Sequence, residues 1–157
     1  MKPSIALSLL ALASLSAACA DKSAATADTS HMAAVPPAAA APAIPTVVIV
    51  SPAEGDSTGP DVTVVLTKQN VTIAKADAAK VDGIGHYHLF LDTIPTMDTL
   101  PIPPTSKTVV HIGTGDSTYT FKGLKPGPHQ IIAVLGYGNH VAMSPAVTDT
   151  VHFVVKP

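Results

Sequence analysis

The stretch 85-GHYHLFLD-92 decides how the rest of the chain is organised. Side chains alternate along a strand, so Tyr87, Leu89 and Leu91 share one face while His86, His88, Phe90 and Asp92 share the other. The first set is apolar throughout and is expected to face a core. The second is expected to look outward or into a shallow groove. The H-x-H pair on that second face needs a reason: a metal site, a hydrogen-bonded structural motif, or an indifferent solvated surface.

Outward from this strand the same texture repeats. "TVVIV" (46–50) is β-branched and stops at the turn formers "SPAEGDSTGP" (51–60). After Asp61, Val62, Val64 and Leu66 fall on one face. "NVTIAKADAAKVDGIG" (70–85) reads as a short strand and a loop, with one helical turn expected around Ala76 to Lys80. "IPTMDTLPIPPTSK" (94–107) carries four prolines and reads as a long exposed connection. "TVVHIG" (108–113), "STYTFKGL" (117–124), "HQIIAVLGYG" (129–138) and "DTVHFVV" (149–155) complete the strands. The last puts Val151, Phe153 and Val155 inward and His152 outward; His111 can be assigned to either face. Short strands at regular spacing, with no amphipathic helix of length, predict an all-β fold. The expected form is a single immunoglobulin-like antiparallel β-sandwich of about seven strands over residues 46–157. In that topology the strand after the turn "LKPGPH" (124–129) lies between the "HYHLFLD" strand and the last strand.

The N-terminal part has a different composition. Lys2 is followed by an apolar stretch from Ile5 to Leu15, too short for a stop-transfer helix and laid out like a secretory signal. Residues 1–18 are therefore expected to be a signal peptide. Small residues just before Cys19 resemble the lipobox of bacterial lipoproteins, with Ser16 where Leu is commonest. The resemblance implies acylation at Cys19, a membrane anchor through that lipid and, with Ala20 rather than Asp next, the outer membrane. Cys19 is the single cysteine, so no intramolecular disulfide can form, and lipidation would consume an otherwise oxidisable thiol. Residues 19–45 are nearly all Ala, Pro, Ser, Thr and Asp, and are expected to be a disordered tether. His31 and Met32 fall in it and carry no signal of their own.

Composition excludes several functions. The formal net charge is −2, and the nine basic residues are all lysine. Without arginine or a basic cluster, nucleic-acid binding is excluded. There is no tryptophan and few other aromatics, which argues against sugar stacking. Glu54 is the only glutamate and lies among turn formers, and no G-x-S-x-G elbow occurs, so hydrolytic chemistry has no residues to carry it. The chain is expected not to be an enzyme.

Five of the seven histidines sit near strand ends or turns in the sandwich: His86, His88, His111, His129 and His140. If the topology holds, His86 and His88 could meet His129 or His140 across neighbouring strands. Imidazoles at i and i+2 with a third from a neighbour suit zinc, and a nearby Met143 would suit copper. Asp92 and Asp149 are carboxylates that could instead hold these rings by hydrogen bonds.

"GHYHLFLD" (85–92), "HIGTGDST" (111–118), "LKPGPH" (124–129) and "NH" (139–140) follow one another in order. In this the chain resembles an uncharacterised bacterial family of short secreted proteins with G-H-x-H-L-x-x-D, H-x-G-x-G and L-x-P-G-x-H motifs. Tyr87 stands where a histidine is commoner, and Gly138 where an acidic residue is expected nearby. The resemblance implies that His86, His88, Asp92, His111, His129 and His140 matter, without implying an activity. "LKPGPH" with scattered histidines is also similar to copper–zinc superoxide dismutase, but that family needs more histidines, a zinc-loop aspartate and a disulfide. Small copper-resistance carriers use an N-terminal histidine, a place Cys19 takes here. The expected function is a non-enzymatic, envelope-anchored lipoprotein whose histidines hold copper, zinc or a small ligand. The alternative is a structural or adhesive module, with an envelope protein or polysaccharide as partner and hydrogen-bonded structural histidines.

Overall fold

The computed structural model describes residues 43–77 and 79–157. The expected signal peptide, Cys19 and the expected tether up to residue 42 lie outside the described residues. Nine strands follow in order: β1 (Thr46–Ser51), β2 (Asp56–Thr58), β3 (Val62–Gln69), β4 (Thr72–Ile73), β5 (Ile84–Leu91), β6 (Val109–Ile112), β7 (Thr118–Phe121), β8 (Gly127–Gly136) and β9 (Thr148–Val155). The expected helical turn is absent: residues 76, 77, 79 and 80 have no regular structure. No helix among the described residues is long and apolar enough to cross a membrane.

The strands form two sheets. One has the order β1-β3-β7, and the other β2-β9-β8-β5-β4 with β6 also paired to β5. The seven longer strands reproduce the immunoglobulin arrangement, in which the first, second and fifth strands of the fold face the third, sixth and seventh. β8 lies between β5 and β9, as the sequence predicts. The two strands beyond the expected seven are short and parallel. β2 runs beside the end of β9, and β4 beside the start of β5.

Alternation places the core. Val47 and Ile49, Val62, Val64 and Leu66, and Phe121 come from one sheet. Tyr87, Leu89, Leu91, Ile131, Ala133, Leu135, Val151, Phe153 and Val155 come from the other. Burial of these side chains removes apolar surface from water at about 25 cal/mol per Å². Asp149 joins the layers: its Oδ2 accepts the Ile49 amide at 2.7 Å. It is thus committed to β1 and does not hold a histidine.

The other face of β5 is not solvated. Phe90, Val109, Ile132, Val134, Ile102 and Ala142 form a second, smaller core against it. The proline-rich segment after β5 is exposed along most of its length, yet it sets Ile102 into this cluster and bridges Pro101 to Val141. An outward strand face is thereby covered by two returning segments, residues 93–108 and 137–142.

Candidate metal centre

His86 and His88 project from β5 into this covered layer, and both are fully buried. The β5–β6 register pairs His88 with His111, which resolves the face of His111: it lies on the outer side with the H-x-H pair. His140 arrives from the turn after β8. There Tyr137 accepts the His140 amide at 2.8 Å and donates its own amide to Val141 at 2.9 Å, folding the chain back on itself. His140 has φ 67°, a left-handed conformation that a side chain bearing a Cβ rarely adopts. Its carbonyl accepts the Ile102 amide at 2.8 Å, linking the turn to the segment that covers the layer.

The four rings converge. Centroid separations run from 4.5 Å (His111–His140) to 5.8 Å (His88–His140). His86 meets His111 at 4.6 Å and His140 at 5.0 Å, both edge-on. His86, His111 and His140 each offer a ring nitrogen, and these nitrogens all lie within 4.8 Å of one another. Two nitrogens bound to one zinc at about 2.0–2.1 Å stand roughly 3.4 Å apart in a tetrahedral arrangement. Small ring rotations would close that difference. His88 lies nearly parallel to His111, at 16° and 5.1 Å, and is as fully buried as His86.

Three glycines make the space. A Cβ on Gly136 would come within 2.9 Å of His88 Nε2, and one on Gly113 within 2.6 Å of the His111 ring. A Cβ on Gly138 would overlap Asp77 Oδ1 and the Ala79 carbonyl.

Electrostatics follow from this crowding. Burial first, then the neighbouring His111 and His140, lower His86 to about 4 against an upward pull from Asp77. Burial first, then the other three rings, lowers His88 to about 2. Burial and His140 lower His111 as well. His86, His88 and His111 are therefore held neutral at pH 7, the state in which imidazole nitrogen is a metal ligand. Five of their nitrogens, both on His86, both on His88 and Nε2 of His111, are buried without a hydrogen-bond partner among the described residues. A buried polar atom left unpaired costs roughly 1–3 kcal/mol, so such groups are few in native proteins. The donor set is entirely imidazole, which suits zinc or copper(II).

The remaining sequence candidates lie elsewhere. His129 is on β8 five residues before Val134, the partner of His88, roughly 17 Å away at 3.4 Å per residue. Both its nitrogens are engaged, Nδ1 with Asp92 Oδ2 at 2.7 Å and Nε2 with the Lys125 carbonyl at 2.8 Å. Burial pulls its pKa down, but the Lys125 carbonyl and the Asp92 carboxylate outweigh that and hold it above the ordinary value. Asp92 also accepts the Gln130 amide at 2.9 Å, so it clamps the far end of β5 to β8. Met143 packs on the opposite face of β5: a Cβ on Gly85 would meet its Cε at 2.5 Å, and it belongs to the main core. It is a packing residue and supplies no soft ligand here. Asp77 and the spacing glycines escaped the sequence reading. Nothing in the sequence shows that a loop 9 residues before His86 returns to it, because β4 must first pair with β5.

The fold and this cluster define an immunoglobulin-like β-sandwich with a histidine cluster on the outer face of one sheet. The chain belongs to the family described as "Domain of unknown function (DUF4399)", matched over residues 64–156. No curated protein matches it at a significant level. Among solved structures it is similar to the fibronectin(III)-like modules of CbhA from Clostridium thermocellum, at 16% identity and a TM-score of 0.42, covering 71% of this chain and 97% of that one.

Proposed function

We propose that this domain is a non-enzymatic metal-binding module of the bacterial envelope, holding one zinc or copper(II) ion at His86, His111 and His140. His88 lies beneath as packing and as a further nitrogen donor. The observation that carries this reading is the meeting of three ring nitrogens within 4.8 Å, in a cluster where five imidazole nitrogens lack hydrogen-bond partners among the described residues. A hydrogen-bonded structural cluster would have paired them, as His129 is paired. Lipidation at Cys19, with residues 19–45 as tether, would attach the domain to the outer membrane. Such a module would bind or buffer metal rather than turn over a substrate.

The test is a titration of untagged protein with Zn(II) and Cu(II), read by calorimetry and by metal analysis. One ion per chain is expected, and replacing His86 and His88 together by Ala should abolish it. A structural or adhesive role is favoured only for the other end of the sandwich, where His129 and His152 are tied to Asp92 and Glu54. A protein or polysaccharide partner whose binding ignores the cluster substitutions would support that role.

A further inference from the structure

We infer that Asp77 is the fourth ligand of the ion held by His86, His111 and His140, making a three-histidine, one-carboxylate centre selective for divalent cations. The inference rests on the metal reading above and adds to it the charge and the selectivity of the site.

Placement carries the argument. The loop after β4 is laid along the cluster by two backbone hydrogen bonds, Ala74 N to Gly85 O at 2.9 Å and Ala76 N to Gly113 O at 3.3 Å. These carbonyls belong to residues one before His86 and two after His111. Asp77 follows directly. On its other side stands Gly138, two residues before His140, whose missing Cβ leaves the place that Asp77 Oδ1 and the Ala79 carbonyl occupy. Lys80 Nζ lies over the Tyr137 ring at 4.9 Å and pins the same loop to the same turn. Asp77 is thus seated between the end of β6 and the turn after β8, the two elements that bring His111 and His140. Its Oδ1 accepts the Ala79 amide at 3.0 Å, and its Oδ2 has no hydrogen-bond partner among the described residues. The upward pull of Asp77 on His86 agrees with that position.

The chemistry gives the carboxylate a purpose. Three neutral imidazoles leave the full charge of a divalent ion uncompensated in a partly desolvated pocket. One carboxylate reduces it, and a hard oxygen beside nitrogen donors favours Zn(II) and Cu(II) over the soft Cu(I). Asp77 is outside the trio of ligand atoms that already lie within 4.8 Å, so ligation requires its exposed side chain to approach them.

The untagged full chain and its Asp77→Asn variant decide the matter. Asn keeps the oxygen that accepts the Ala79 amide, so urea midpoints should coincide. Zn(II) affinity, measured by competition with a chromophoric chelator, should fall by more than about 10-fold, since even a carboxylate that only orients a metal's ligands is worth about 10–100-fold. Cu(I) affinity, measured against a Cu(I)-specific chelator, should change by no more than about threefold, and Asp77→Glu should recover part of the Zn(II) loss. Equal Zn(II) affinity in wild type and Asp77→Asn overturns the inference while leaving the histidine centre intact. A wild type that binds no Zn(II) or Cu(II) overturns both.

Discussion

His88 and His111 face each other across the β5–β6 ladder, with rings 5.1 Å apart and 16° from parallel. This cross-strand pair joins the H-x-H strand to the one histidine whose face the sequence leaves open. It also fixes the depth of the pocket, since His88 is fully buried while His111 reaches the rim.

The burial of His88 carries a cost to folding. Both its nitrogens are buried without partners among the described residues, opposite Val134 on β8 and near Ile102 around Gly136. His88→Leu should therefore stabilise the metal-free domain by about 1–3 kcal/mol in urea unfolding. Metal affinity should fall in the same variant. A loss of stability would mean that the ring is satisfied in solution.

The spacing glycines separate packing from ligation. Gly136→Ala drives a methyl into the buried His88 ring, which cannot retreat, and should cost about 1–3 kcal/mol of stability. Gly113→Ala meets the His111 ring at the rim, where it can swing aside. That variant should lose metal affinity with a smaller change in its urea midpoint.

The cluster sets the pH response of the metal-free protein. His86 and His88 have folded-state values lowered to about 4 and about 2, below the unfolded value near 6.5. Between those limits the unfolded chain binds more protons than the folded one, so stability rises with pH. The contribution is full above about pH 6.5 and is lost as pH falls from there, down to about 4 for His86 and about 2 for His88. His129 is raised and acts in the opposite sense: its contribution is present below the unfolded value and fades as pH rises through the folded one. Chelator-treated wild type should thus show a urea midpoint that drops from pH 7 to pH 4. The drop should be smaller in the variant with Ala at both 86 and 88.

The far end of the sandwich should be independent of metal. Asp92→Asn removes the charge opposite His129 and should bring the His129 pKa down towards its ordinary value in an NMR titration. Metal stoichiometry should not change, because the two sites are roughly 17 Å apart.

Much of the sandwich was legible because alternation is a local signal. Val62, Val64 and Leu66, or Val151, Phe153 and Val155, need no distant partner to declare their face. The order of β5, β8 and β9 followed from the immunoglobulin pattern. The short strands β2 and β4 did not, since three and two residues make no periodicity and their pairing is parallel and non-local. The site was legible in part. His86 and His88 share a face by period alone, but the cover over that face depends on Ile102, one apolar residue in a proline-rich segment. The sequence allows either His129 or His140 beside the pair, because β8 neighbours β5. Antiparallel register instead sets Gly136 opposite His86 and sends His129 to the other end. Met143 follows His140 closely in sequence, yet the chain reverses between them and delivers it to the main core.

The most direct test is metal stoichiometry in untagged protein titrated with Zn(II) and Cu(II), compared with a variant carrying Ala at positions 86, 111 and 140. One ion per wild-type chain and none in the variant, with folding retained by circular dichroism, is the expected result. Equal binding in the two proteins, or no binding to folded wild type, would contradict a metal centre at these histidines.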